Sequence, residues 1–192
     1  MPLKFSLTAL PALLTGALLL GASLAQASDE QEDVTLQPMK LSYNASLDKG
    51  ISLNGDARRI LEQRDDGTWH FRTDVDSFVA DIDESLIFRW EDNQVVPLRY
   101  RYKLSGLFIR DREEAIDFDW ENNVVSGHHE GDKFSMKLEK GAMDPMGYQL
   151  QLSQDIKAGK REMEYRVIDK GDYDTDKFAV VDEETVRING DD

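Results

Sequence analysis

The chain has 192 residues, with 23 Lys and Arg against 38 Asp and Glu, a formal charge of −15, and no Cys. Absence of Cys excludes a disulfide framework, a thiolate-ligated zinc or iron–sulfur site, a thiol nucleophile and a lipid-acceptor cysteine. So acidic a chain is repelled by nucleic acid and by anionic lipid.

The first segment has the form of an export signal. A short basic start at residues 1–4 is followed by an apolar run over 5–20, rich in Leu and Ala, and Ala25-Gln26-Ala27 stands just before Ser28-Asp29-Glu30. No charge falls between Phe5 and Ser28, a length that also suits a membrane anchor. Pro11, Gly16 and Gly21 disfavour a uniform spanning helix, and the small-residue site meets acid at once. The expectation is therefore a signal peptide over 1–27, cleaved after Ala27, leaving no stable membrane span. Residues 28–38, acidic and closed by Pro38, read as a disordered lead-in. Residues 39–192 are expected to form a single domain, within the usual range of about 100–200 residues.

From Met39 onward the apolar residues alternate. Leu41, Tyr43, Ala45 and Leu47 share one side of a first strand, and Lys49-Gly50 turns the chain. Gly55 to Gln63 fits strand or helix. Asp65-Asp66-Gly67 signals a hairpin. Trp69 and Phe71 then alternate with His70 and Arg72, and Leu86, Phe88 and Trp90 with Ile87, Arg89 and Glu91. Leu98, Tyr100, Tyr102 and Leu104 oppose Arg99, Arg101 and Lys103. Ile116, Phe118 and Trp120 oppose Asp117 and Asp119, and Phe134, Met136 and Leu138 oppose Lys133, Ser135 and Lys137. Strands with one apolar and one charged face, joined by short turns, predict an antiparallel meander.

One segment breaks the rhythm. Asp144-Pro145 supplies an N-cap followed by Pro at the first helical position, and Gly159 a stop. Tyr148, Leu152 and Ile156 would share a helix face, so a helix is expected near residues 145–158. Met163, Tyr165 and Val167 return to strand, and residues 178–188 offer another.

The chemical motifs are weak. Asp172, Asp174, Asp176 and Glu183 copy the spacing of a calcium loop, but Lys177 stands where the sharp turn needs Gly, and the flanks read as strands. His128 and His129, as neighbours on a strand, point to opposite faces and cannot share one metal. No metal or other cofactor is expected. The pairs Asp117/Asp119 and Asp81/Asp83 read as a solvated sheet face, and Arg99, Arg101 and Lys103 as a basic stripe neutralised across strands. Asn44-Ala45-Ser46 matches a glycosylation sequon in three residues only. No Gly-x-Ser-x-Gly frame is present, so no base–nucleophile pair is legible.

Four pieces carry a family likeness: residues 84–90 (Glu-Ser-Leu-Ile-Phe-Arg-Trp), 97–102 (Pro-Leu-Arg-Tyr-Arg-Tyr), 116–120 (Ile-Asp-Phe-Asp-Trp) and Asp144-Pro145. In this order and spacing the chain, from about Met39 to Glu184, resembles the bacterial domain-of-unknown-function family 3108. The resemblance implies a mainly β protein exported to the periplasm of the Gram-negative envelope, with no established activity and no catalytic residues to carry over. It also implies further strands after Glu183-Glu184-Thr185, where this chain stops at Asp192; a short member and a truncated chain both fit.

The expected fold is mainly β: a strongly curved antiparallel sheet or incomplete β-barrel with one helix packed on it, the alternative being a closed small barrel. Trp69, Phe71, Phe88, Trp90, Tyr100, Tyr102, Phe118 and Trp120 should converge on one concave face. That face would either interlock or leave a hollow for a hydrophobic or lipid-like ligand. A non-enzymatic envelope protein binding such a ligand is the first expectation. A module docking an envelope protein is the second, and a hydrolase the remotest.

Overall fold

The computed structural model describes residues 35–48, 52–78, 80–107 and 109–185. The expected signal peptide, residues 28–34 of the lead-in and the far end of the strand expected over 178–188 lie outside them.

Eight strands form one sheet in strict chain order: β1 Met39–Asp48, β2 Ser52–Gln63, β3 Trp69–Ser77, β4 Ala80–Glu91, β5 Gln94–Gly106, β6 Arg112–Asp119, β7 Val124–His129 and β8 Asp132–Lys137. Every neighbouring pair is antiparallel. Among the described residues β1 and β8 do not pair, so the sheet is open and the closed-barrel alternative is not realised. Beyond it come the short β9 Ala142–Met143, the helix α1 Pro145–Lys157, β10 Glu162–Asp169 and β11 Asp172–Ala179. These strands make a second sheet, with β10 antiparallel to β11 and parallel to β9. The last strand thus runs over 172–179, not 178–188. Lys170 and Gly171 both have positive φ, 53° and 78°, and this two-residue turn starts β11 at Asp172.

One strand departs from simple alternation. Ile87 pairs with Arg99 but Phe88 with Pro97, so Leu98 is an extra residue, a bulge. Val95 and Pro97 before it, and Tyr100 after it, are all buried on one side. The expected grouping of Leu98 with Tyr100 fails, because the inserted residue changes which parity faces inward.

Asp144 caps α1 as its residue type demands: one carboxylate oxygen accepts from the N–H groups of Met146 and Gly147, each at 2.9 Å. The buried face of the helix, however, holds Met146, Gly147, Leu150, Gln151, Gln154 and Asp155. Ile156, expected inside, is 47% exposed. The helix lies between two apolar clusters. Met146 and Leu150 join the main core, while Tyr148 and Leu152 pack on Met143, Met163, Tyr165 and Val167. Among the described residues the second carboxylate oxygen of Asp144 is buried without a hydrogen-bond partner, whereas Gln151 and Asp155 are paired. Gln151 accepts from the Val95 N–H at 2.7 Å and donates to the Asn93 carbonyl, and Asp155 accepts from the Tyr165 hydroxyl at 2.7 Å.

The main core collects Leu61, Trp69, Phe71, Leu86, Phe88, Tyr100, Ile116, Phe118 and Val125 from the sheet, and covers them with Met146, Leu150, Leu138, Ala142 and Ile168. Leu36, within the segment expected to be a disordered lead-in, also enters it, 4% exposed: its side chain has apolar surface to bury.

Candidate functional site

All eight rings singled out from the sequence meet in the main core. Trp69, Phe71, Phe88, Tyr100 and Phe118 are buried in it, while Trp90, Tyr102 and Trp120 are half-buried against it. Phe118 and Trp120 stack with ring centroids 6.2 Å apart, and the Trp120 indole N–H donates to the Pro97 carbonyl at 2.7 Å. Residues of α1 and of the segment around β9 occupy the space in front of these rings, so their surface is used in packing. Arg99 and Asp119 are exposed as expected. Arg101 is half-buried, because its guanidinium grips both oxygens of Asp117, at 2.8 and 3.0 Å, and the Ile116 carbonyl.

The cover stops part-way along the inner face. Helix α1 packs on β4, β5, β9 and β10, and its reach toward β2 ends where the Arg59 guanidinium donates to Gln149 at 2.9 Å. At this boundary runs a polar row, read through the strand register: Arg59, Thr73, Glu84, Tyr102 and Glu114. Arg59 donates to the Thr73 hydroxyl and stands over the Phe71 ring at 4.9 Å. Burial holds the Glu84 carboxyl above the usual range, opposed by the hydrogen bond from Tyr100 and by Arg59. Glu114, 5% exposed, is likewise raised by burial, though it accepts from the Lys170 N–H at 2.7 Å and faces His129.

Beyond the polar row lies a second row on the same face: Tyr43, Ala57, Val75, Ile82 and Leu104, one from each of β1 to β5. All are apolar. Tyr43 is 50% exposed, the other four are half-buried, and among the described residues no element is laid over them. Five strands at about 4.8 Å spacing make this strip ~19 Å long. The exposed Phe78 and Leu107 stand in the turns that follow β3 and β5, a few residues along those strands from Val75 and Leu104. Sequence reading missed the row, because its members come together only through the register.

No cluster of three or more metal-ligating side chains occurs among the described residues. Asp172, Asp174 and Asp176 lie along the extended β11, with Asp172 and Asp176 ~13.6 Å apart, so the three do not wrap one ion as a calcium loop does. His128 and His129 point to opposite faces, toward Glu113 and Glu114 respectively.

A family model, that of the proteins of unknown function DUF3108, matches residues 41–192. The chain belongs to the DUF3108 family. This agrees with the likeness carried by residues 84–90, 97–102, 116–120 and 144–145. No curated protein matches this DUF3108 chain. Among solved structures it is similar to a beta-barrel-like protein of domain of unknown function DUF1849 from Brucella abortus, at 16% identity and a TM-score of 0.43. The similarity covers 72% of this chain and 63% of that one.

Proposed function

We propose that this DUF3108 protein is a non-enzymatic protein of the periplasmic envelope that binds a hydrophobic or lipid-like ligand along the uncovered half of its inner sheet face. The observation that carries the reading is the apolar row Tyr43–Ala57–Val75–Ile82–Leu104, long enough for an extended acyl chain and left bare by α1. The neighbouring polar row supplies a place for a head group, with Tyr102 at the junction. The other rings of the aromatic set serve as the rigid floor on which this half of the sheet is held. The buried carboxylates support the absence of catalysis: Glu84, Glu114 and Asp144 are each held by structural donors. The amino-terminal sequence supports export, and no helix among the described residues is long and apolar enough to cross a membrane.

A fluorescent fatty-acid probe tests the reading. Saturable binding to the mature chain should be lost in Ile82→Asp and Leu104→Asp and kept in Trp90→Ala. Loss in Trp90→Ala alone would move the site back to the aromatic core. No saturable binding by the wild type would end lipid binding and leave docking of an envelope protein, which the exposed Phe78, Leu107 and Ile109 favour.

A further inference from the structure

The opposite, outer face of the sheet carries a feature that lipid binding does not use. A groove of about 400 Å³ crosses β3 to β7 there. Its floor follows from the register: Arg72, Ser85, Arg101, Ala115 and His128 form one cross-strand row. The small Ser85 and Ala115 alternate with long basic side chains, and each leaves a depression. Two residues along the strands runs a row of mixed charge, Arg58, Asp74, Asp83, Lys103 and Glu113, in which Asp74 directly faces Asp83. Like charges set directly across strands are destabilising.

The pairing within the groove is incomplete. Among the described residues no ion pair or side-chain hydrogen bond is formed by Arg72, Asp74, Asp83 or Lys103, although all four line it. The Arg72 Nε is buried and has no hydrogen-bond partner, and the same holds for His128 Nδ1 at the far end. A buried donor left unmade costs about 1–3 kcal/mol, and more when charged, so a strand surface seldom keeps one without use. A plain anion over Ser85 would meet Arg72 but also the two aspartates. A plain cation would meet the aspartates but also Arg72 and Lys103. A molecule with a carboxylate and an ammonium group about one row apart, ~6.8 Å, satisfies both.

We infer that this groove is a binding site for a short zwitterionic peptide. Its carboxylate lies over Ser85 against Arg72, and its ammonium between Asp74 and Asp83. The guanidinium fork suits a carboxylate, and the facing aspartates cease to repel once a cation stands between them.

Glycylglycine, whose two extended residues span ~6.8 Å, is the probe, titrated into the isotope-labelled mature chain and followed by amide chemical shifts. Shifts should be centred on Ser85, Lys103 and Ala115, with Tyr43 on β1 unmoved, which separates this site from the lipid strip. Arg72→Gln should weaken binding at least tenfold, and Asp83→Asn should do the same. Glycylglycinamide, lacking the carboxylate, should bind the wild type no better than glycylglycine binds Arg72→Gln, and N-acetyl-glycylglycine no better than glycylglycine binds Asp83→Asn. The variants should keep the wild-type circular dichroism, with a Tm no lower than that of the wild type, since Arg72→Gln removes an unmet buried donor and Asp83→Asn a facing like charge. Equal affinity in wild type and Arg72→Gln overturns the proposal. So does a shift pattern centred elsewhere, or tighter binding of N-acetyl-glycylglycine or inorganic phosphate than of glycylglycine.

Discussion

The hydroxyl of Tyr100 donates a 2.8 Å hydrogen bond to the carboxylate of Glu84, one strand away, at the edge of the covered core. Burial raises both groups above their usual ranges, Tyr100 further because Glu84 faces it. The bond is thus a charge-assisted contact in a poorly solvated place, where removing one partner strands the other.

Tyr100→Phe should therefore destabilise the protein by about 1–3 kcal/mol at pH 8. The hydrogen bond lowers the Glu84 pKa, so its loss moves the folded-state value further up. The cost should shrink as pH falls and Glu84 becomes neutral. Urea unfolding of variant and wild type at pH 8 and pH 4 measures the difference; a cost that grows on acidification would contradict this account.

Asp144 gives a second pH signature. Burial pushes its carboxyl up to about 7, against the lowering effect of the Gly147 and Met146 N–H groups. In the unfolded chain it has the ordinary aspartate value of 3.8. The folded state then binds the proton more tightly, so this group stabilises fully below about pH 4, and the contribution fades as pH rises through about 7. Asp144→Asn retains a capping oxygen and removes the titration. Subtracting its Tm profile from that of the wild type should leave a decline from pH 4 to pH 7 and a plateau above. A flat difference would refute the shift.

Gly127 has no room for a side chain: a Cβ there would run into the Ala115 carbonyl oxygen on the next strand and stand 2.8 Å from the Phe134 ring. Backbone in the middle of a sheet yields little. Gly127→Ala should cost about 3 kcal/mol, at the upper end for overpacking, and lower the Tm. A loss under about 0.5 kcal/mol would mean that β6 and β7 can separate at this point.

Export is tested directly by amino-terminal sequencing of protein recovered from the periplasm, which should begin at Ser28. A chain beginning at Met1 in the membrane fraction would refute cleavage.

The sequence revealed the fold through residues such as Trp69, Phe71, Leu86 and Phe88, whose alternation with polar neighbours needs only a period of two. Asp144-Pro145 marked the helix start because capping is local chemistry. Leu98 escaped, since an inserted residue leaves the alternation on either side intact and only the partner strand reveals the change of phase. The buried face of α1 escaped because Gln151 and Asp155 are polar and become interior residues only through Val95, Asn93 and Tyr165, remote in the chain. Convergence of the aromatic set was legible, but its cover was not, because where a helix lands depends on long-range packing. The apolar strip and the outer groove are cross-strand features, and no stretch of sequence contains either one.

In the main sheet each strand pairs with the next in the chain. Such a sheet can zip together hairpin by hairpin, each short loop costing little entropy to close. The residues that shield its apolar side come afterwards, in β9, α1 and β10. A chain assembling from its amino end therefore builds the greasy surface of Phe71, Leu86, Phe88 and Ile116 well before it owns the helix that hides it. Until residues 142–168 arrive, that surface is of the kind that pairs with other copies of a chain, so a cut before β9 should yield an aggregating fragment.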